Sequence, residues 1–114
     1  MRIFIIYSLL LLLLSSCSYN ELSLCETNNP SYSNCIEPIF KEHCVVCHNS
    51  QQQYSNLILE NYTEISEAVI NRNVIDRISK DESDILFMPQ SSSKLLEKEI
   101  QLIINWKENG ALNN

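Results

Sequence analysis

The sequence predicts an all-α fold, because apolar residues recur at helical spacing in several stretches and no stretch shows the alternation of a β-strand. The chain has 114 residues and a single glycine, Gly110. Once an N-terminal apolar segment of 16 residues is set aside, 98 residues remain. A domain of that size buries a limited apolar core and is commonly stabilised by a cofactor or a cross-link. We therefore expect one small helical domain with such a stabilising group.

Residues 1–16 have the pattern of a signal peptide, with an early arginine, an apolar run of 12 residues and then small polar residues. The run is too short for a membrane-spanning helix, which needs about 20 residues. The sequence LSSC at residues 14–17 resembles the lipobox of bacterial lipoproteins, which implies cleavage before Cys17 and acylation of that cysteine.

Several acyl chains on one cysteine would anchor the protein stably to a membrane. We therefore expect a lipid-anchored protein on the periplasmic side of the bacterial cell envelope. The outer membrane is favoured over the inner membrane, because Ser18 rather than an aspartate follows Cys17.

The chain is acidic, with 8 basic and 14 acidic residues. Removal of residues 1–16 takes away one arginine and leaves a formal charge of −7. Nucleic acid is not expected as a partner, because phosphate binding requires clustered lysine and arginine. A protein partner with a basic docking surface is expected instead, since opposite charges raise the rate of encounter.

The five cysteines divide among three predicted roles. Cys17 is assigned to the lipid anchor, Cys44 and Cys47 belong to a CxxCH motif, and Cys25 and Cys35 are left as a pair. An oxidising envelope permits that pair to form a disulfide, which would stabilise the fold by about 3 kcal/mol in the chain-entropy model. Two free thiols are the alternative, because a sequence does not show connectivity.

The predicted organisation places a lipid anchor and flexible tether in residues 17–34 and a folded domain in residues 35–114. The tether is predicted from its serine and asparagine content and from the lack of any sustained period. The first helix is predicted to begin near Ile36, with Pro38 in its first turn, where proline is tolerated. It is predicted to end at the sequence CVVCH, residues 44–48.

Residues 63–79 predict either one long broken helix or two short ones. Thr63 is the expected N-cap, and Ile65 and Ala68 lie on the predicted inward face. The asparagine-rich range 71–73 is the expected interruption. Residues 80–93 then predict a loop with a short apolar insert.

The last predicted helix lies within residues 93–110. Serines precede it, and Gly110 follows it as a stop signal. Its apolar residues share one face at helical spacing; they are Leu96, Ile100, Ile103 and Trp106.

CVVCH is the motif that points most directly to a function. On a helical turn, Cys44, Cys47 and His48 project to the same side. The two vinyl groups of haem can each form a thioether with a cysteine, and the adjacent imidazole can bind the iron from that side. The spacing therefore predicts covalent attachment of one c-type haem, haem c.

Two other uses of these residues remain open. A zinc site could be built from Cys25, Cys35, Cys44 and either Cys47 or His48, although zinc ligands usually come as two closely spaced pairs. A thioredoxin-like CxxC motif would require a strand before it and a helix after it, and would give the histidine no role.

A haem iron held by His48 has a second axial position, and Met88 is the candidate ligand for it. Met88 lies in the predicted loop and is followed by Pro89, which fixes the turn. A thioether would saturate the iron and raise its reduction potential. His43 is the alternative ligand, but it precedes Cys44 on the same helix and points away from the opposite haem face. Methionine also commonly fills space in a core.

These residues resemble those of a known family, the small single-haem c-type cytochromes. Within residues 32–112, the stretches IEPIF, CVVCH, MP and IINWKENGA are similar to the envelope cytochrome domain of planctomycete and Bacteroidetes-like proteomes. The resemblance implies a helical domain wrapped around one covalently attached haem. It implies attachment through Cys44 and Cys47, with His48 and Met88 as the iron ligands.

The resemblance also implies that the first and last helices cross near the haem, so that Phe40 and Trp106 meet at the crossing. The chain departs from the family pattern in two ways. It lacks the glycines that usually precede the Met-Pro pair, and it has Gln90 where a second proline is frequent.

The expected function is one-electron transfer by a membrane-anchored carrier, which is not an enzyme. One alternative is a haem protein with an open or labile sixth site that senses or transforms a gas or peroxide. Another is a metal-binding structural module without haem. The expected partners are redox proteins, and the expected state is a monomer.

Overall fold

The computed structural model describes residues 25–90 and 92–114. The predicted signal peptide, the lipidation of Cys17 and the first part of the tether lie outside these residues. Within them the chain is helical and has no β-strand, with one isolated antiparallel bridge between His48 and Gln53. The prediction of an all-α fold is confirmed for this part of the chain. No helix in these two ranges is both long and apolar enough to cross a membrane.

Four α-helices occur in the described ranges. They are α1 (Glu37–His43), α2 (Tyr62–Asn71), α3 (Val74–Ser79) and α4 (Glu97–Glu108). A π-helical turn, Tyr32–Ile36, leads directly into α1, and a 3-10 turn, Tyr54–Asn56, lies between α1 and α2. Helices this short are held mainly by tertiary packing, because isolated helices of such length are marginal in water.

The first helix begins near the predicted position. Pro38 is its second residue, where a missing N–H costs no intrahelical hydrogen bond. The helix ends at His43, and the chain then continues through the CVVCH motif in hydrogen-bonded turns. The N–H groups of Cys47 and His48 both donate to the carbonyl of Cys44, at 3.2 and 3.0 Å. The motif therefore lies at the end of the first helix, as predicted.

The range 62–79 forms two short helices rather than one. Between them Asn73 adopts the left-handed conformation, with φ of 58°, which asparagine tolerates better than most residues. The break therefore falls where the sequence predicts it. The predicted N-cap at Thr63 is wrong, since the side chain of Asn61 accepts the N–H of Glu64 at 3.1 Å.

Residues 25–34 pack on the helical domain instead of forming a free tether. Cys25 is buried and is bonded to Cys35 as a disulfide, with a Cα–Cα distance of 5.7 Å. The side-chain amide of Asn105 in α4 donates to the carbonyl of Thr27 at 2.7 Å. This contact joins residues 78 positions apart, so no local sequence pattern reveals it.

Trp106 lies at the centre of the core and is only 1% exposed. Its ring centroid is 5.8 Å from that of Tyr32 and 6.4 Å from that of Tyr62, and its indole N–H donates to the carbonyl of Leu112 at 2.9 Å. Phe40 is buried in the same core. Across the residues described, however, the rings that contact Trp106 are the two tyrosines rather than Phe40.

The predicted apolar face of α4 has one exception. Ile100, Ile103 and Trp106 are buried, whereas Leu96 is 62% exposed. Leu96 precedes the helix as its N-cap, so its side chain does not extend the helical face. Gly110 ends the helix with φ of +96°, a conformation that favours glycine.

Two tyrosines in this core differ in their hydrogen bonding. The Tyr62 hydroxyl donates to the carbonyl of Ala111 at 2.9 Å. The Tyr32 hydroxyl is buried and has no hydrogen-bond partner within the part of the chain that the structure describes. Burial, together with the nearby carboxylates of Glu37 and Glu64, raises the pKa of Tyr32 to about 12.

We expect Tyr32→Phe to raise the free energy of unfolding by about 1 kcal/mol at pH 7, because it removes a buried hydroxyl that lacks a partner. Tyr62→Phe should lower it by about 1 kcal/mol, because it removes a hydrogen bond. Urea unfolding of both variants and the wild type measures the two changes. Equal destabilisation by the two substitutions would contradict the conclusion that the Tyr62 hydroxyl is hydrogen-bonded and the Tyr32 hydroxyl is not.

The same variants test the effect of pH. The Tyr32 hydroxyl ionises near pH 10 in the unfolded chain and at about 12 in the folded protein. The unfolded chain therefore releases this proton first, and its contribution to stability is lost as the pH rises from about 10 to 12. Urea unfolding between about pH 9 and 12, which covers this window, should show a smaller loss of stability for Tyr32→Phe than for the wild type.

Candidate functional site

A cavity of about 350 Å³ lies beside the CVVCH motif. Its volume falls within the range of about 300–1,000 Å³ that is typical of small-molecule and cofactor sites. Cys44 and His48 from the motif and Met88 from the loop before α4 all line it. Cys47 lies on the same turn as Cys44 and is partly buried. Tertiary structure thus brings Met88 to the motif, although 40 residues separate it from His48 in the sequence.

The imidazole of His48 is buried and fixed in one orientation. Its Nδ1 lies 3.2 Å from the carbonyl oxygen of Leu57. Because a carbonyl oxygen only accepts hydrogen bonds, Nδ1 carries the proton, and the lone pair of a neutral ring is then on Nε2. The N–H of Leu59 also donates to the carbonyl of His48, at 2.9 Å. This arrangement is typical of metal-binding histidines, in which the second ring nitrogen donates to a fixed acceptor.

Among the cysteines that the structure describes, Cys44 and Cys47 form no disulfide. Burial raises the pKa of Cys44 to about 12, with smaller contributions from Cys47 and from the carboxylate of Glu99. Cys44 is therefore a neutral thiol at physiological pH. A neutral thiol is a weak nucleophile for disulfide exchange.

Met88 is partly buried, and its main chain is hydrogen-bonded to α3. The N–H of Met88 donates to the carbonyl of Arg77 at 3.1 Å. Phe87, the residue before it, is buried and anchors this part of the loop. The hydrogen bond and the burial of Phe87 keep Met88 at the cavity, although this part of the loop is not helical.

The rest of the cavity wall is mainly apolar. Leu57 and Leu59 come from the segment that holds His48, and Val74 and Ile78 come from α3. Apolar walls keep water away from a bound group and leave the polar atoms of the site to orient it. A haem iron would find imidazole and thioether donors in this setting, which are the ligands of many c-type haems.

His43, the alternative axial ligand, is engaged elsewhere and does not line the cavity. Its Nε2 lies 3.2 Å from the carboxylate of Glu99, which is buried at the start of α4. Glu99 also accepts the N–H of Leu96 at 2.8 Å. Among the residues described, Glu42, His43 and Glu99 form the one cluster with metal-ligand spacing. The His43–Glu99 contact joins α1 to α4, which is a structural role.

Sequence reasoning missed two arginines and one carbonyl group. Arg72 and Arg77 line the cavity, and the carbonyl of Leu57 fixes the ring of His48. The sequence does set the two arginines apart, because Arg72 and Arg77 are the only arginines after Arg2. The carbonyl had no such signal, because every residue carries a carbonyl and only the fold selects the acceptor.

No protein-family model, curated protein or solved structure matches this chain.

The raised pKa of Cys44 can be tested by alkylation. In protein made without haem attachment, Cys44 should react with iodoacetamide at pH 8 roughly 10²–10³-fold more slowly than a small-molecule thiol, because the thiolate is the reactive form. The rate should keep rising with pH up to about 12. Peptide mass spectrometry locates and quantifies the modification. The control is the same reaction with protein unfolded in urea. Equal alkylation rates for Cys44 in the folded and unfolded protein would contradict the raised pKa of this thiol.

Proposed function

We propose that the protein is a monohaem c-type cytochrome that transfers single electrons. The observation that carries the proposal is the cavity, which is lined by Cys44 and His48 of the motif and by Met88 from a distant loop. These are one attachment residue and the two iron ligands that the sequence predicts. If the CVVCH sequence had arisen by chance, the one methionine of the folded domain would not be expected to line the same apolar cavity.

Each residue has a distinct role in this proposal. Cys44 and Cys47 form the thioethers, His48 binds the iron through Nε2, and Met88 completes the coordination. The hydrogen bond from Nδ1 of His48 to Leu57 orients the ring and raises its basicity. When bound, haem c supplies an iron that alternates between the ferrous and ferric states, and a thioether ligand favours the ferrous state.

The competing uses of the cysteines fit the structure less well. The disulfide between Cys25 and Cys35 takes away two of the four ligands of a mixed zinc site. The raised pKa of Cys44 disfavours the thiolate that a thioredoxin-like motif requires. Neither a zinc site nor a thioredoxin-like motif explains why Met88 lines the cavity.

The surface beside the cavity supports the choice of partner. Ile85 and Leu86 line the cavity and are exposed, and the acidic range 81–84 directly precedes them. Exposed apolar groups beside negative charge fit a redox partner with a basic docking surface. In this proposal the protein acts as a monomer on the periplasmic side of the envelope, held by a lipid on Cys17, with the outer membrane favoured.

The proposal predicts sharp low-spin bands in the reduced-minus-oxidised visible spectrum, unchanged by CO, when the protein is coexpressed with a cytochrome c maturation system. Met88→Ala should open the sixth position, so that the reduced variant shows a high-spin spectrum without CO and a shifted spectrum once CO is added. Leu86→Ala, in the same loop and also lining the cavity, is the control and should remain low-spin. A CO-sensitive spectrum of the wild type would instead favour a gas or peroxide sensor or catalyst.

Substitutions of the two histidines provide a second matched pair of variants. His48→Ala should abolish the low-spin spectrum and sharply reduce haem incorporation, because it removes the ligand on the attachment side. His43→Ala should keep the spectrum and lose only stability, because His43 binds Glu99 rather than the cavity. Haem staining and absorption spectra of the two variants measure this. Loss of the low-spin bands in His43→Ala alone would reverse the ligand assignment.

A further inference from the structure

Both arginines of the folded domain lie at the cavity. The chain contains three arginines, Arg2, Arg72 and Arg77, and five lysines. Arg72 and Arg77 line the cavity, whereas none of the lysines does. Arginine is the cation suited to carboxylates, because its planar guanidinium donates two parallel hydrogen bonds to them.

The lining of the cavity carries positive charge although the protein is acidic. Among the described residues, two arginines line the cavity and no aspartate or glutamate does, while the chain has 14 acidic residues. Lys41 and Lys80 each pair with a neighbouring carboxylate. Within residues 25–90 and 92–114, no carboxylate forms an ion pair with Arg72 or Arg77. Their charges are therefore available to a ligand.

Hydrogen bonds to the main chain hold the guanidinium groups without cancelling their charge. Nη1 and Nη2 of Arg72 donate to the carbonyls of Asn56 and Ser55, at 2.9 and 3.1 Å. Arg77 has one long hydrogen bond, 3.5 Å from Nη1 to the carbonyl of Leu86. Since a guanidinium has five N–H donors, both arginines keep donors for a further acceptor.

We infer that Arg72 and Arg77 bind the anionic edge of the ligand that fills this cavity. With the remaining wall mainly apolar, the ligand is a largely apolar molecule with carboxylates on one side. This inference rests on the proposed function, since haem is such a molecule and its two propionates are the carboxylates. The arginines are then positioning residues, which fix the orientation of the ligand and set the charge near its metal.

A full-chain variant with Cys44→Ser and Cys47→Ser allows the cavity to be tested without covalent attachment. Haemin and haemin dimethyl ester, in which the carboxylates are esterified, are titrated into it and followed by visible absorption. Haemin should bind roughly tenfold or more tightly than the ester, because the ester loses the charge-assisted hydrogen bonds. Arg72→Gln and Arg77→Gln should each reduce this preference. Lys94→Gln removes a lysine outside the cavity and should not.

The outcomes separate this inference from the proposed function. Equal binding of haemin and its ester, with His48-dependent spectra for both, would overturn the role of the arginines and leave the haem site standing. Failure of both haemin and its ester to bind a folded variant would overturn the proposed function and the inference with it. Circular dichroism establishes that each variant is folded.

The covalently loaded protein gives a second measurement, which does not depend on the serine variant. Arg72→Gln and Arg77→Gln should lower the midpoint reduction potential, because a nearby positive charge favours the ferrous state. They should also move the pH dependence of the potential to higher pH, because an arginine lowers the pKa of a carboxylate beside it. Lys94→Gln is again the control. An unchanged potential and pH profile in both arginine variants would overturn the inference.

Discussion

The packing of α4 against the segment that leads into α1 is the interaction on which the rest of the structure depends. Trp106 packs against Tyr32 and Tyr62 in the core, and the contact of His43 with Glu99 fixes the last residue of α1 against the start of α4. The CVVCH motif begins at the next residue. Its position is therefore set by the helical core, in which burial of large apolar side chains supplies most of the stabilisation.

The other side of the cavity is built from loops and from α3, and main-chain hydrogen bonds help to position the loops there. The main chain of His48 accepts the N–H of Leu59, and the main chain of Met88 donates to Arg77. Ile85 is 85% exposed and Leu86 is 45% exposed, although both line the cavity. A ligand in the cavity would bury apolar surface that the protein alone leaves in water, and so would extend the core.

The distribution of charge fits two separate tasks. The chain as a whole is negative, with an acidic stretch at residues 81–84 next to the cavity, and such a surface attracts basic partners from a distance. Of the residues described, two arginines and no aspartate or glutamate line the cavity, and such a site attracts an anionic group at short range. In the proposed function, this arrangement would let the protein hold an anionic cofactor and still present a negative surface to a redox partner.

Local sequence determined the features whose cause is local: the helical fold of the described residues, the break at Asn73, the position of Pro38 in α1 and the place of CVVCH at the end of α1. Helical periodicity, backbone preference and short-range spacing are contained in a few consecutive residues. Only the tertiary structure decided that residues 25–34 dock on α4, that Leu57 orients the ring of His48, and that two arginines and a distant methionine share one cavity. Those features join residues far apart in the sequence, and they depend on which backbone groups and side chains the packed helices bring within contact distance.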